Sequence, residues 1–149
     1  MPTTTTAFVF ALIATVVVGF VVLWVAICYA LASVSGWKRL QRLFATGPFE
    51  GPTSRTSGYV GRSRYRGALI AGASAAGLYL NVVPAFRIGA GPLLIPWKSL
   101  EGPSPSPGLA SHVTLEVPAA DAKLRLPEGV ASRLLHFRPT SLPDSRSTQ

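Results

Sequence analysis

The chain has 149 residues, with 14 lysines and arginines against 6 acidic residues, and a formal net charge of +8. These residues are enough for one small domain plus one special segment, which excludes a division into several domains. Hydrophobic residues make up 48% of the chain and charged residues 13%, against roughly 25% charged residues in an ordinary soluble domain. One stretch is therefore more apolar than a water-facing fold requires. A single cysteine, Cys28, excludes an intramolecular disulfide and a cysteine metal site.

The apolar stretch lies near the N-terminus, where residues 7–34 contain no charged side chain. At about 1.5 Å per residue, this stretch is long enough to cross a hydrocarbon core of about 30 Å. Its valine runs suit a strand in water, but in lipid every backbone group must be paired within the segment, which favours a helix. We therefore predict a transmembrane helix over residues 7–34, preceded by a short extracytoplasmic tail over residues 1–6.

The charges that flank this helix predict its direction. No charged side chain precedes it, whereas Lys38, Arg39 and Arg42 follow it. The positive-inside rule then places the N-terminus outside and the C-terminal domain in the cytoplasm. A cleaved signal peptide is the alternative, because residues 30–32 (Ala-Leu-Ala) have the form that a signal peptidase accepts. The length of the apolar run and the lack of a basic segment before it favour an uncleaved anchor.

Small side chains recur at every fourth position of the predicted helix, at Ala7, Ala11, Thr15 and Gly19. Such a row lies on one helix face and lets a second helix approach closely. One hypothesis is therefore that the protein is a structural subunit that assembles through this face. Small residues are also common in membrane helices without any such role, so self-association stays open.

Residues 35–57 predict a basic juxtamembrane helix followed by a linker. The apolar side chains of the helix share one side: Trp37, Leu40, Leu43 and Phe44. Its basic side chains lie on the other faces, so we expect the helix to lie at the membrane surface or to form an exposed stalk. Glycine, proline, serine and threonine then accumulate over residues 45–57, which predicts a linker before the next domain.

From residue 58 the apolar side chains recur at every second position, which predicts a β domain over residues 58–138. We predict six strands, at residues 59–66, 68–72, 78–83, 93–97, 112–117 and 122–126. The proline-rich tract at residues 102–108 predicts a mobile loop. Pro127 begins a short amphipathic helix whose apolar positions are Val130, Leu134 and Phe137. The polar residues 139–149 predict a disordered tail.

Consecutive antiparallel strands followed by one helix resemble the pleckstrin-homology (PH)-like and GRAM-like domains, in which the helix plugs an open end of a curved sheet. The most specific piece is residues 92–100, PLLIPWKSL, which look like the segment of that superfamily in which a hydrophobic-Ile-Pro run turns into the next strand. A complete PH fold has seven strands, against six predicted here, and no basic phosphoinositide-binding pattern is visible in the first hairpin.

A second resemblance covers roughly residues 35–100. Four short motifs are similar to those of short single-pass bacterial membrane proteins of unknown function: Ser35-Gly36-Trp37, Gly77-Leu78-Tyr79-Leu80, Phe86-Arg87 and Leu94-Ile95-Pro96-Trp97. The resemblance implies a protein of the bacterial cytoplasmic (inner) membrane and carries no assigned activity.

The positive charge is concentrated near the membrane segment, because Glu50 is the one acidic residue between positions 38 and 98. Arg62, Arg64 and Arg66 alternate with other residues, so on one strand they project from the same face as a cationic strip. Each exposed base near an anionic leaflet contributes about 1 kcal/mol of attraction. We therefore predict contact with anionic lipid or a protein partner through six residues: Lys38, Arg39, Arg42, Arg62, Arg64 and Arg66. The alternative is a solvated sheet edge that charge protects from pairing.

The sequence shows no pattern typical of catalysis. His112 and His136 are the two histidines, and neither lies in the setting of a metal site or an activated nucleophile. No nucleic-acid recognition module is visible. We therefore expect a non-catalytic, membrane-anchored module without cofactor or metal that binds a protein partner or anionic lipid at the cytoplasmic face. A structural subunit of a membrane complex is the alternative.

Overall fold

The structure, a computed structural model, describes residues 2–105 and 111–140. Within these ranges, one long apolar N-terminal helix is followed by a short helix, a curved antiparallel sheet of seven strands and a C-terminal helix. The helices are α1 (Pro2–Val34), α2 (Trp37–Phe44) and α3 (Glu128–Leu135). The strands are β1 (Thr53–Val60), β2 (Ser63–Ser74), β3 (Gly77–Val82), β4 (Leu93–Pro96), β5 (Glu101–Pro105), β6 (His112–Val117) and β7 (Ala122–Pro127). Their order in the sheet is β4-β3-β2-β1-β7-β6-β5.

Helix α1 contains the predicted apolar segment and also includes residues 2–6, which the sequence predicts as a tail. Residues Thr3–Val34 are long and apolar enough to cross a membrane, a criterion that an N-terminal signal sequence also meets. The apolar side chains as far as Leu23 are exposed to the surroundings of the protein. The long N-terminal helix that the hydropathy pattern predicts is therefore confirmed, while its insertion into a membrane and its direction there stay predictions.

Helix α2 belongs to the β domain, contrary to the expectation of a membrane-surface helix or a stalk. Gly36, at φ +79°, ends α1 and redirects the chain. The side chains of Trp37 and Leu40 are then completely buried, and the Trp37 indole Nε1 donates a hydrogen bond to the Gly91 carbonyl at 2.9 Å. Leu43, predicted on the same apolar side, remains 54% exposed. The expectation was wrong because the sheet offers these two large side chains a closed apolar core.

The segment after α2 is attached to the sheet over the range predicted as a linker, residues 45–57. The Thr46 amide donates to the Pro92 carbonyl at 3.2 Å, beside strand β4. The Phe49 ring stacks on the Tyr79 ring of β3 with 4.5 Å between centroids. Strand β1 begins within this same segment. The glycines and prolines therefore belong to an irregular segment that packs on the β domain, and not to a free linker.

Two strand predictions differ from the structure. The predicted strand over residues 59–66 is divided by a turn at Gly61 and Arg62, so β1 and β2 pair as an antiparallel hairpin. The predicted loop over residues 102–108 contains most of β5, an edge strand on which prolines cost no ladder hydrogen bond. Residues 63–66 join the predicted strand over residues 68–72 to form β2, so β5 is the strand that brings the number in the described residues from six to seven. Residues 106–108 of the predicted loop and 141–149 of the predicted tail lie outside the described ranges.

Helix α3 packs on the sheet beside strands β6 and β7 and the long strand β2. Ala131 and Leu134 are the buried residues of this helix, and Val130 packs against the core. Phe137 was predicted to extend the apolar face, but it follows the end of the helix and is 45% exposed. The core thus lies inside the curved sheet, with α2 and α3 contributing side chains to it.

Candidate functional site

The β domain lies against the last turns of the long helix, and this junction is the candidate site. The Trp24 indole Nε1 donates to the Ala85 carbonyl at 3.1 Å, and its ring lies 5.1 Å from that of Phe86. Cys28 and Ala32 are 3% and 1% exposed, although both belong to α1. From Trp24 onward the domain therefore covers one face of the apolar helix.

The segment that reaches Trp24 is residues 83–90, which we call the docking loop. Pro84 begins a 3₁₀ turn there, a position that its fixed φ favours. The Phe86 amide donates to the Val83 carbonyl at 2.9 Å, and the Ala90 amide donates to the Arg87 carbonyl at 2.9 Å. These two local bonds hold the loop in a compact shape in which the Phe86 ring contacts α1.

A cavity of about 230 Å³ lies between α1, strand β2 and the docking loop. We call it the crevice; its lining residues are Cys28, Leu31, Arg64, Tyr65, Arg66, Ala68, Phe86 and Ala90. Most of these side chains are apolar, whereas Arg64 and Arg66 are exposed and carry positive charge. An apolar cavity of about 150 Å³ is sufficient to bind benzene, so the crevice has room for part of a larger apolar group.

One wall of the crevice is fixed by a buried hydroxyl pair. The Tyr65 hydroxyl donates to Ser35 Oγ at 3.4 Å, and Ser35 Oγ also accepts the Trp37 amide at 3.3 Å. Burial raises the pKa of Tyr65, so its phenol is neutral at physiological pH. The wall that Tyr65 forms therefore carries no charge, and the charge at the crevice comes from its two arginines.

The predicted basic residues do not form one cluster. Arg64 and Arg66 are exposed residues of β2 and line the crevice together, whereas Arg62 lies in the turn before that strand. The predicted strip of three arginines on one strand is therefore wrong for Arg62, because Gly61 and Arg62 form the hairpin turn. Whether any of these residues binds lipid or a partner stays a prediction.

The three predicted basic residues of α2 do not form one cluster either. Lys38 and Arg42 line a second, open depression together with Gln41 and Ala45. The Lys38 ammonium lies 3.2 Å from the centroid of the Tyr29 ring, a cation–π contact with the end of α1. Arg39 instead faces Asp121, with 3.7 Å between Nη1 and Oδ2. Both members of that pair are largely exposed, so the pair adds little to stability.

Tyr59 and Arg125 continue the surface of Arg64 across the sheet, and the sequence predicted neither of them as a site residue. Tyr59 pairs with Arg64 of β2 on one side and with Arg125 of β7 on the other. The Arg64 guanidinium carbon lies 5.6 Å from the Tyr59 ring centroid. Arg125 Nε is buried and has no hydrogen-bond partner among the described residues. The alternation of apolar and polar residues in β7 could have predicted that Arg125 lies on the polar face of the sheet. Its position beside Tyr59 depends on the pairing of β1 with β7, which no local sequence pattern predicts.

The small side chains of α1 remain uncovered by the β domain. Ala7, Ala11, Thr15 and Gly19 are all exposed. The Thr15 hydroxyl donates to the Ala11 carbonyl at 2.8 Å, so its hydrogen bond is made within its own helix. Association of two helices through this face stays a prediction.

Comparison with known proteins gives no match: no family model, no curated protein and no solved structure matches this chain. The resemblance to PH-like domains and to short bacterial membrane proteins therefore rests on residues and layout alone. Over the part of the chain that the structure describes, no group of three or more His, Cys, Asp or Glu side chains is placed to hold a metal ion.

Proposed function

We propose that the protein is a non-catalytic, membrane-anchored PH-like module that binds anionic lipid headgroups at the cytoplasmic face of a bacterial inner membrane. The layout supports this proposal, because seven antiparallel strands followed by one helix match the plan of a PH-like domain. The apolar helix that precedes the domain supplies the anchor.

One observation carries the lipid proposal: Arg64 and Arg66 line the same crevice as Cys28 and Leu31 of α1. If α1 spans the bilayer, their guanidinium groups lie where the chain leaves it. Guanidinium groups recognise phosphate by two parallel hydrogen bonds, which a lysine ammonium cannot provide. Each such charge near an anionic leaflet adds about 1 kcal/mol of attraction. A soluble protein partner is the second occupant that this surface suits.

The test compares the full chain in nanodiscs of phosphatidylcholine with nanodiscs that also contain phosphatidylglycerol. Amide hydrogen exchange of the β1–β2 hairpin is measured at low salt, because salt screens exposed charges. We expect the anionic lipid to slow exchange in the wild-type hairpin and to have no such effect after Arg64→Glu and Arg66→Glu.

The matched control is Lys98→Glu with Arg133→Glu, which changes the net charge equally at two exposed positions that do not line the crevice. If the position of the arginines matters more than the net charge, anionic lipid still slows amide exchange of the β1–β2 hairpin in this variant. Equal exchange of the wild-type hairpin in both lipids would remove the lipid proposal and favour a protein partner.

The direction of the anchor is tested with reporters fused after Gln149, together with the intact mass of the purified chain. We expect activity of a cytoplasmic reporter and an uncleaved chain. Activity of a periplasmic reporter would contradict the cytoplasmic placement, and a mass that begins at Ser33 would identify α1 as a signal peptide.

A further inference from the structure

The depth of the domain relative to the bilayer follows from where α1 becomes covered. Apolar side chains up to Leu23 are exposed, whereas Trp24 already contacts the docking loop. At about 1.5 Å per residue, the uncovered part from Thr3 to Leu23 measures about 30 Å, the thickness of a hydrocarbon core. Tryptophan is enriched at the edge of that core. If this part of α1 fills the hydrocarbon core, the bilayer boundary falls near Trp24, and the later turns, which keep Val25, Ile27 and Val34 exposed on one face, lie outside that core.

This boundary places the Cys28 end of the crevice at the level of the lipid headgroups and the Leu31 end just beyond them. Its two residues on α1, Cys28 and Leu31, follow Trp24 by about 6 and 10 Å along the helix axis. The headgroup layer on each side of the bilayer is about 5–8 Å thick. The docking loop lies at the same level, and its Ile88 side chain is 37% exposed. Lipids of the surrounding leaflet are consequently the nearest possible occupants of the crevice.

The lining chemistry selects an amphiphile with a negative charge. The apolar wall consists of Leu31, Phe86 and Ala90 with Ala68, and the two charged lining residues are arginines. The polar atoms of the wall have partners within the protein: the Tyr65 hydroxyl bonds to Ser35, and Cys28 Sγ lies 4.0 Å from the Ala85 carbonyl. An acidic peptide would satisfy the arginines but would place polar backbone against this wall.

We propose that the crevice binds one anionic phospholipid, with its phosphate at Arg64 and Arg66 and the glycerol end of one acyl chain against Phe86, which contacts Trp24. This site rests on the proposed function. It makes that function more specific, because the domain then binds one lipid molecule in addition to a general attraction to the anionic membrane surface. The volume of about 230 Å³ accommodates part of a single lipid. The lipid then joins the membrane helix to the sheet and fixes their relative position.

The experiment measures lipid retained by the full chain when it is released from nanodiscs into native mass spectrometry. Nanodiscs contain phosphatidylcholine with equal amounts of phosphatidylglycerol. We expect one phosphatidylglycerol to be retained at least tenfold more often than phosphatidylcholine. Arg64→Gln with Arg66→Gln removes this preference, because it removes both cations and keeps the size of the side chains.

A charge-neutral variant distinguishes the crevice from the surface. Leu31→Trp fills the cavity, and its control Leu23→Trp adds the same ring at an exposed position of α1 outside the crevice. We expect Leu31→Trp to lower retention of phosphatidylglycerol at least tenfold while the lipid-dependent protection of the hairpin persists. Leu23→Trp retains lipid as the wild type does. Retention in Leu31→Trp equal to wild type would overturn the proposal.

Cross-linking gives a measurement that does not depend on the folding of any variant. Phosphatidylglycerol with a photoreactive acyl chain should label the wild-type chain at residues 28–31 or 84–90. The exposed apolar part of α1, residues 3–23, is labelled by the surrounding lipid in any case. Labelling confined to that part, or full displacement of retained lipid by millimolar inorganic phosphate, would overturn the proposal. Absence of a retained lipid with persistent hairpin protection would also overturn it and would leave the proposed function standing.

Discussion

At the scale of single residues, Trp37 connects α2 to the sheet through both its ring and its indole nitrogen. The side chain is completely buried, its centroid lies 5.8 Å from that of Tyr65, and Nε1 donates to Gly91. Trp37→Phe keeps an aromatic ring and leaves the Gly91 carbonyl without this donor, which we expect to cost about 1 kcal/mol. Trp37→Ala also leaves a cavity and should cost about 3–5 kcal/mol.

Chemical unfolding of the full chain in detergent micelles measures both changes. Leu43→Ala is the control, because Leu43 belongs to the same helix but is 54% exposed, and its effect should stay within about 0.5 kcal/mol. A Trp37→Ala chain as stable as the Leu43→Ala chain would show that α2 is not part of the core.

Gly61 is a second residue whose identity the fold requires. Its φ is +59°, and a Cβ there would overlap the Ser35 carbonyl oxygen at the α1–α2 junction. Gly61→Ala should therefore lower the free energy of unfolding by more than the roughly 1 kcal/mol that the left-handed backbone alone costs. Gly129→Ala is a matched control in α3, where nothing lies within 4 Å, and it should stabilise the chain by about 0.5–1 kcal/mol. Thermal unfolding of both variants tests this difference, and equal effects would contradict it.

At the scale of elements, the sequence predicts best where apolar and polar residues alternate. Strand β6 is observed at its predicted residues, 112–117, and β7 exceeds its prediction by one residue, Pro127. The first half of β1 and most of β5 consist of small, polar, glycine and proline residues, so pairing with neighbouring strands defines them. Local patterns could not identify such strands because hydrogen bonds to distant residues stabilise them.

The face of α2 shows a different limit. An apolar stripe has the same spacing whether it contacts lipid or a protein core, so the pattern of Trp37 and Leu40 could not distinguish the two. The crevice depends on this same contact between distant elements, because it joins α1 with β2 and the docking loop. The sequence therefore indicated Arg64 and Arg66 as basic residues but not the cavity that they line.

The role of α2 leads to a prediction about where the domain begins. A fragment of residues 35–140 keeps Trp37 and Leu40 together with the whole of β1, and we expect it to unfold cooperatively in water. A fragment of residues 58–138, the domain predicted from the sequence, loses these two buried side chains and most of β1. We expect it to lack a fixed tertiary structure. Near-ultraviolet circular dichroism and chemical unfolding compare the two fragments, and cooperative unfolding of the shorter one would contradict the prediction.

At the scale of the whole molecule, the helix and the domain form one continuous structure. The hydrogen bond from Trp24 to Ala85 and the burial of Cys28 hold the docking loop along α1. A flexible linker would leave the domain free to move away from α1, whereas this contact keeps Arg64 and Arg66 of β2 beside that helix. The contact with α1 therefore fixes which surface of the domain lies beside this helix.

Depth in the bilayer provides the corresponding test. If the boundary lies near Trp24, Ile88 of the docking loop is at headgroup level, while Glu128 of α3 serves as an exposed reference. Cysteines are introduced at Ile88 or Glu128 in a Cys28→Ala chain and labelled with a fluorophore that is sensitive to polarity. In nanodiscs, we expect a blue-shifted emission at position 88 that headgroup-level spin-labelled lipid quenches, and neither effect at position 128. Equal emission at the two positions would show that the docking loop lies in water, which places the boundary on the N-terminal side of Trp24 and removes the crevice from the reach of lipid.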